Sequence, residues 1–370
     1  MAQNRRPQEG VRPKHPRGTA PPGRYGHIYA ALDLGTNNCR LLIARADSKG
    51  FKVLDAFSRT VRLGEGLART GELSQIAIGR AIDAIHICAQ KMRRRGVTRW
   101  RAIATEACRT ASNGPEFIDQ VVRQTGIRFD IIPPIEEARL AARSVTPLLD
   151  RSYEAALVFD IGGGSTELIW LDLAKAEPDI MGWASLPLGV VTLADAMHPH
   201  LDSPDVYARM VGDVRGRLSA VIDAALKNGA PALPQNYHLL GTSGTVTTIA
   251  GIHLKLEKYD RSKVDGAWVP RESVLTIIKS LSGMTRAERA AHPSVGPERA
   301  ELVIPGLAIL EALYGLWPAD KLRVADRGLR EGMLLALMEG ADAEASEHRR
   351  RQRSNRTHRG RRRAKSAPAP

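Results

Sequence analysis

Cysteine is scarce in this chain of 370 residues, and its distribution excludes most cysteine chemistry. Cys39, Cys88 and Cys108 are odd in number and scattered, without the paired or histidine spacing of a zinc site, so they read as reduced thiols of a cytoplasmic protein. Aromatic residues make up 5% against 43% hydrophobic residues, which leaves aliphatic side chains to build the cores. No apolar run reaches the roughly 18 residues of a membrane span, and no apolar stretch follows the basic N-terminus, so neither a span nor a secretory signal is expected. Three phosphate signatures are missing as well. There is no G-x-x-x-x-G-K-[ST], no G-x-G-x-x-G after a strand, and no kinase catalytic-loop motif, which argues against P-loop, Rossmann and kinase sites.

The excess of positive charge is confined to the ends. Of the formal +14, residues 1–27 hold six Lys/Arg against Glu9, and residues 341–370 hold ten against Asp342, Glu344 and Glu347, leaving about +2 for the body. Both ends are rich in Pro, Gly and Arg with little to bury, so residues 1–27 and 342–370 are expected to be disordered. Such tails can touch RNA or another polyanion without sequence preference, although a merely solvated tail accounts for the same composition.

What the chain does possess is a concentrated stretch, Asp160-Ile161-Gly162-Gly163-Gly164-Ser165-Thr166-Glu167, between two aliphatic runs that read as strands. Glycines in such a turn let backbone N–H groups approach an anion, and the flanking carboxylates suit a metal. An ordinary hairpin turn is the plainer alternative for the glycines alone. The pattern has an echo 127 positions earlier, where Asp33-Leu34-Gly35-Thr36-Asn37-Asn38-Cys39-Arg40-Leu41 repeats Asp, Gly and Leu in the same places. An internal repeat of this kind predicts two similar mixed α/β domains facing each other across a cleft.

Other elements follow in order. Ser74–Arg95 carries Ile78, Ile82, Ile85 and Met92 at helical spacing with basic residues at its end. Asn113, Pro115 and Gly126 mark the cap, first turn and end of another helix. Pro133-Pro134 feeds a helix that opens on Glu136 and Glu137, where acidic side chains favour the helix dipole and need do nothing more. A second strand-to-helix corner, Gly241-Thr242-Ser243-Gly244-Thr245, can aim free N–H groups at a phosphate, or Ser243 can simply cap the helix. A helix is expected over residues 298–316 with a kink at Pro305, then a strand at 322–325 and a last helix from Arg327.

Taken together, ALDLGTNNCRLLI, ATEACRTASN, IIPPIEEARLAA, VFDIGGGSTELIW, LLGTSGTVTTIAG and ADRGLREGML make the chain resemble the exopolyphosphatase and guanosine pentaphosphate phosphohydrolase family, a branch of the actin, Hsp70 and sugar-kinase superfamily. The resemblance runs from about Ala30 to Met333. It implies an α/β fold of two ribonuclease H-like domains, 28–150 (with about 322–341) and 151–321. It further implies a Mg2+-dependent hydrolase that releases terminal phosphate from inorganic polyphosphate, guanosine pentaphosphate or both. By position, Glu137 would be the base that activates water, and Asp160 and Glu167 the Mg2+ ligands. Asp33, Gly35, Thr36, Asn37, Arg109, Gly162, Gly163, Gly164 and Ser165, with Gly241, Thr242, Ser243, Gly244 and Thr245, would bind phosphate. Asn38 departs from the family's usual Ser and Pro134 from its usual Gly. The chain passes from its last helix into the Arg-rich tail, as a short two-domain member would, and pairing of subunits is common in the family. An ATP-using relative and a polyanion-binding protein with a vestigial core are the competing readings.

Overall fold

The computed structural model describes residues 23–48, 50–175, 177–197 and 203–365. The expected N-terminal tail therefore falls largely outside the described residues. Two mixed sheets organise the chain. The first has strands β1 (Ile28–Leu34), β2 (Asn38–Asp47), β3 (Gly50–Thr60), β4 (Arg99–Ala104) and β5 (Asp130–Ile131) in the order β3-β2-β1-β4-β5. The second has β6 (Ala155–Ile161), β7 (Thr166–Asp172), β8 (Asp179–Leu186), β9 (Tyr237–Thr242), β10 (Trp268–Pro270) and β11 (Lys321–Ala325) in the order β10-β11-β9-β6-β7-β8. Apart from the added edge strand β10, the two orders are the same: an antiparallel meander of three strands with two more running parallel to its first.

The repeated motif seen in the sequence sits at the same place in each copy. Gly35 donates its amide to the Asn38 carbonyl at 2.9 Å, and Gly162 donates to the Ser165 carbonyl at 2.9 Å, so both hairpins close on the same turn. β1 and β6 are central and buried almost throughout, which is why they read as continuous apolar runs rather than alternating ones. β3, at an edge, is half-buried to exposed.

Several local expectations stand and others change. Helix Gln75–Arg94 is capped by Ser74, whose hydroxyl accepts from the Ala77 amide at 3.2 Å, and it buries Ile78, Ile82, Ile85 and Met92. Helix Gly114–Thr125 ends on Gly126 in the left-handed region, but Asn113 does not cap it. The Asn113 side chain instead brackets Leu73, accepting from its amide at 2.8 Å and donating to its carbonyl at 3.0 Å. The helix expected from residue 298 begins at Val303, which puts Pro305 in the first turn, where its missing N–H has no partner to lose and no kink is required.

Two corrections concern the end of the chain. The strand near residue 322, assigned above to the first domain, is β11 of the second sheet, parallel to β9. The chain crosses at residues 326–328, and the helix Leu329–Lys365 then returns to the first domain, packing on helix Pro134–Val145 and on β1. Nor does regular structure stop at 341. Ala341 and Ala345 are buried, Asp342 forms an ion pair with Arg24, and Glu344 receives Arg99 at 2.6 Å. These contacts hold the helix where composition suggested disorder, and residues 24–26 form a short 3-10 turn beside it.

Each sheet has an aliphatic core on its outer side, and a third cluster lies between the sheets. That shared cluster takes Tyr29, Ala31 and Ile103 from the first sheet and Ala156, Val158, Ile169, Leu240 and Ala325 from the second. Ala138, Leu140, Ala141, Met333 and Leu334 from the two intervening helices fill it.

Near that cluster, His238 is buried against Tyr153 and Trp268. Its Nε2 accepts from the Asp150 amide at 3.4 Å, and burial lowers its pKa from 6.5 to about 4. At this site the unfolded chain binds more protons between those values, so the His238 contribution to stability falls as pH drops from about 6.5 toward 4. The cleft carboxyls, raised by burial, act in the opposite direction, so the His238 share is read as the difference between the native chain and His238→Gln, about 2–3 kcal/mol across this range in chemical unfolding. The same pH dependence in both proteins would reject the assignment.

Candidate active site

The two hairpin turns face each other across a cleft of about 700 Å³. Thr36, buried at the tip of the first turn, lies directly against the glycines of the second. A Cβ on Gly164 would stand 2.5 Å from Thr36 Oγ1 and 2.9 Å from Glu106 Cγ, so only glycine lets the turns approach this closely. Behind the second turn, Val190 and Val191 donate their amides to the carbonyls of Gly162 and Gly163 at 3.0 and 2.8 Å. In a trans peptide the N–H points opposite to the C=O, so the amides of Gly163 and Gly164 are turned away from the helix Val190–Met197. Gly189 makes this possible: a Cβ there would lie 2.5 Å from the Gly162 carbonyl oxygen.

Four carboxylates converge on the cleft. Asp33 lies near the end of β1 and Asp160 at the matching place on β6, while Glu167 is the register partner of Asp160 on β7. Glu137 comes from the first turn of helix Pro134–Val145, which starts cleanly because Pro133 is extended and Pro134 fits the first helical position. All four line the cleft. Burial, and then the charge of Glu167, push Asp160 up to about 8. Burial raises Glu167 to about 7, against the hydrogen bonds of Ser165 and Ser185 that favour its ionised form. Asp33 is raised by burial, and Glu137 is raised well above its ordinary value by burial and by Glu167. Water exclusion and like charge thus oppose full ionisation of the group, and a cation is the natural remedy.

Arg109 supplies part of that compensation. Its Nη1 lies 3.4 Å from Glu137 Oε2 and donates to the Ile132 carbonyl at 2.7 Å, and its Nε donates to Glu106 at 3.1 Å. It does not line the cleft itself but holds Glu137 from behind. Glu136, one residue away, turns to Arg101 at 3.0 Å, in keeping with a plain place in the helix's first turn.

The other expected phosphate residues divide. Gly35, Thr36, Asn37, Gly162, Gly163, Gly164, Ser165, Thr242, Ser243, Gly244 and Thr245 line the cleft. Gly241 does not: it lies inside β9, where a Cβ would meet the Phe159 ring at 2.5 Å, so packing explains it. Ser243 caps its helix, accepting from the Val246 amide at 3.1 Å, and still faces the cleft. Asn37 Oδ1 is buried without a hydrogen-bond partner. Turning that amide over would present Nδ2 to an anion. Asn38, the departure from the family's Ser, accepts from the Thr60 hydroxyl at 3.2 Å and ties β2 to β3.

Sequence reasoning missed a basic wall. Arg40, Arg59, Arg299, Arg327 and Arg330 line the cleft, from four separate segments. Arg40 could have been found, because the repeat pairs it across the hairpin with Asp33. The others converge only through the fold. Among the described residues no group of three or more His, Cys, Asp or Glu is spaced to hold a metal, and no helix is long and apolar enough to cross a membrane.

Residues 42–341 match the Ppx/GppA phosphatase family. Exopolyphosphatase 2 of Mycobacterium tuberculosis is 29% identical over 324 residues, covering 83% of this chain and 98% of that protein. Guanosine-5'-triphosphate,3'-diphosphate pyrophosphatase of Photobacterium profundum is 30% identical over 325 residues, covering 84% of this chain but 59% of that longer protein. Among solved structures, the Aquifex aeolicus member of the Ppx/GppA family aligns with a TM-score of 0.69 at 27% identity, over 84% of this chain and 97% of that one. Duplicated sheets, facing glycine turns and these matches lead to one assignment: the chain belongs to the Ppx/GppA phosphatase family.

Proposed function

We propose that the protein is a Mg2+-dependent hydrolase that removes the terminal phosphate from inorganic polyphosphate, from guanosine pentaphosphate, or from both. The observation that carries the reading is the meeting of four carboxylates, three of them buried and Asp160 half-buried, with two glycine turns and a basic wall in one cleft. The arginines and turn amides would take the charge of the equatorial oxygens, and positioning does the rest, since phosphoryl transfer asks little covalent work of the protein. Glu137, buried and held by Arg109, would accept the proton of the attacking water.

The carboxylates fit a magnesium ion. Asp160 and Glu167 are register partners pushed to about 8 and 7, so a divalent cation would stabilise the ionised pair. Mg2+ typically binds through one or two carboxylates, waters and substrate phosphates, so a three-residue cage is not needed. When bound there, it would neutralise charge on the transferring phosphoryl group.

Purified protein assayed with polyphosphates of defined length, guanosine pentaphosphate and ATP, with and without Mg2+, tests the reading. Release of phosphate from one of the first two, lost on chelation, is expected; release from ATP alone would reject it.

A further inference from the structure

Tyr259 contributes the one aromatic ring among the described residues that line the cleft. The residue is 51% exposed, yet its position is fixed from behind. Its hydroxyl donates to Asp326 Oδ2 at 2.6 Å, just past β11. The segment that follows it is pinned to the crossover by Arg261, which donates to Glu331 at 2.9 Å, and by Asp265, which accepts from Arg327 at 2.8 Å. Leu302 and Val303 line the same cleft, whereas most of the remaining wall is carboxylate, hydroxyl, glycine and arginine.

An inorganic polyphosphate has no apolar face, and a fixed, half-exposed ring offers it nothing. A nucleobase does have such a face, and stacking on an aromatic side chain is tolerant of base identity. We infer that Tyr259 is the platform for the base of a nucleoside polyphosphate, and that it sets this chain's discrimination between a nucleotide and inorganic polyphosphate. This rests on the hydrolase reading above and names the substrate class that the same cleft selects. Asp326 is a positioning residue here, holding the ring through its hydroxyl.

The test compares native protein, Tyr259→Ala and Tyr259→Phe with guanosine pentaphosphate and with tripolyphosphate. Tyr259→Ala should lower the ratio of kcat/KM for the nucleotide to that for tripolyphosphate about tenfold, through KM, as the loss of one stacked base implies. Tyr259→Phe, which keeps the ring, should retain most of the ratio. Equilibrium binding of guanosine pentaphosphate, which needs no turnover, should weaken in Tyr259→Ala by a similar factor. An unchanged ratio with unchanged binding, or a loss in Phe as large as in Ala, overturns the inference. Native protein that cleaves tripolyphosphate but does not bind the nucleotide also overturns it, and leaves the hydrolase reading standing. Native protein that binds the nucleotide through Tyr259 but releases phosphate from neither substrate supports the platform and rejects the hydrolase.

Discussion

Glu137→Gln is expected to abolish most phosphate release while leaving substrate binding nearly intact. Glutamine keeps the shape of the side chain and removes the charge, and a positioned base contributes about 10² to 10⁴ in rate. Arg109 keeps its bonds to Glu106 and to the Ile132 carbonyl in the variant, so the local scaffold stays in place. Single-turnover release of phosphate from tripolyphosphate, set beside its equilibrium binding, gives the two quantities separately. Near-normal turnover would sink the role given to Glu137. The native protein carries a related signature. The carboxyl must be ionised to accept a proton, and burial raises its pKa, so activity should climb with pH on an acid limb above the ordinary glutamate range. Glu137→Gln should lose that limb in whatever activity remains.

The second large effect belongs to a glycine that does not line the cleft. Gly332 lies in the last helix where it crosses helix Pro134–Val145, and a Cβ there would sit 2.1 Å from the Leu140 backbone oxygen. Backbone on the other side cannot rotate away, so Gly332→Ala must push the helices apart. The expected cost is about 1–3 kcal/mol, seen as a lower thermal midpoint, with a fall in kcat because the displaced helix carries Glu137. Gly340, two turns on in the same helix, has open space at its Cβ. Gly340→Ala should therefore be neutral or stabilising by up to about 1 kcal/mol, since alanine is the better helix former. Equal shifts of one sign in both variants would refute the packing argument.

Much of this architecture is legible because it is local. Asp-Gly turns between aliphatic runs mark the hairpins, and the spacing of Ile78, Ile82 and Ile85 marks the helix that covers them. The repeat of Asp33 at Asp160 carries the duplicated sheet order without any knowledge of contacts. What stays hidden depends on approach between distant segments. A glycine that admits an anion and one that admits a neighbouring side chain look alike in sequence, so Gly241 reads as the former when Phe159 explains it. Gly189 escapes notice for the same reason, since its partners, the Gly162 and Gly163 carbonyls, are some 26 positions away. β11 falls to the wrong sheet because nothing in the order of residues marks where the chain crosses between domains. Composition suggests a structureless C-terminal region from 342, but ion pairs to Arg24 and Arg99 hold its first turns.

The cluster of side chains between the sheets bears on how the cleft can move. Because Ala156 and Val158 of one sheet and Tyr29 and Ala31 of the other are sealed into one dry layer, the two halves cannot swing apart as independent bodies without admitting water to it. Separating the halves as independent bodies would cost the apolar burial of that layer. Asp33 and Asp160 continue the same faces of β1 and β6 as Ala31 and Val158, so the layer that joins the halves also sets the spacing of the two carboxylates.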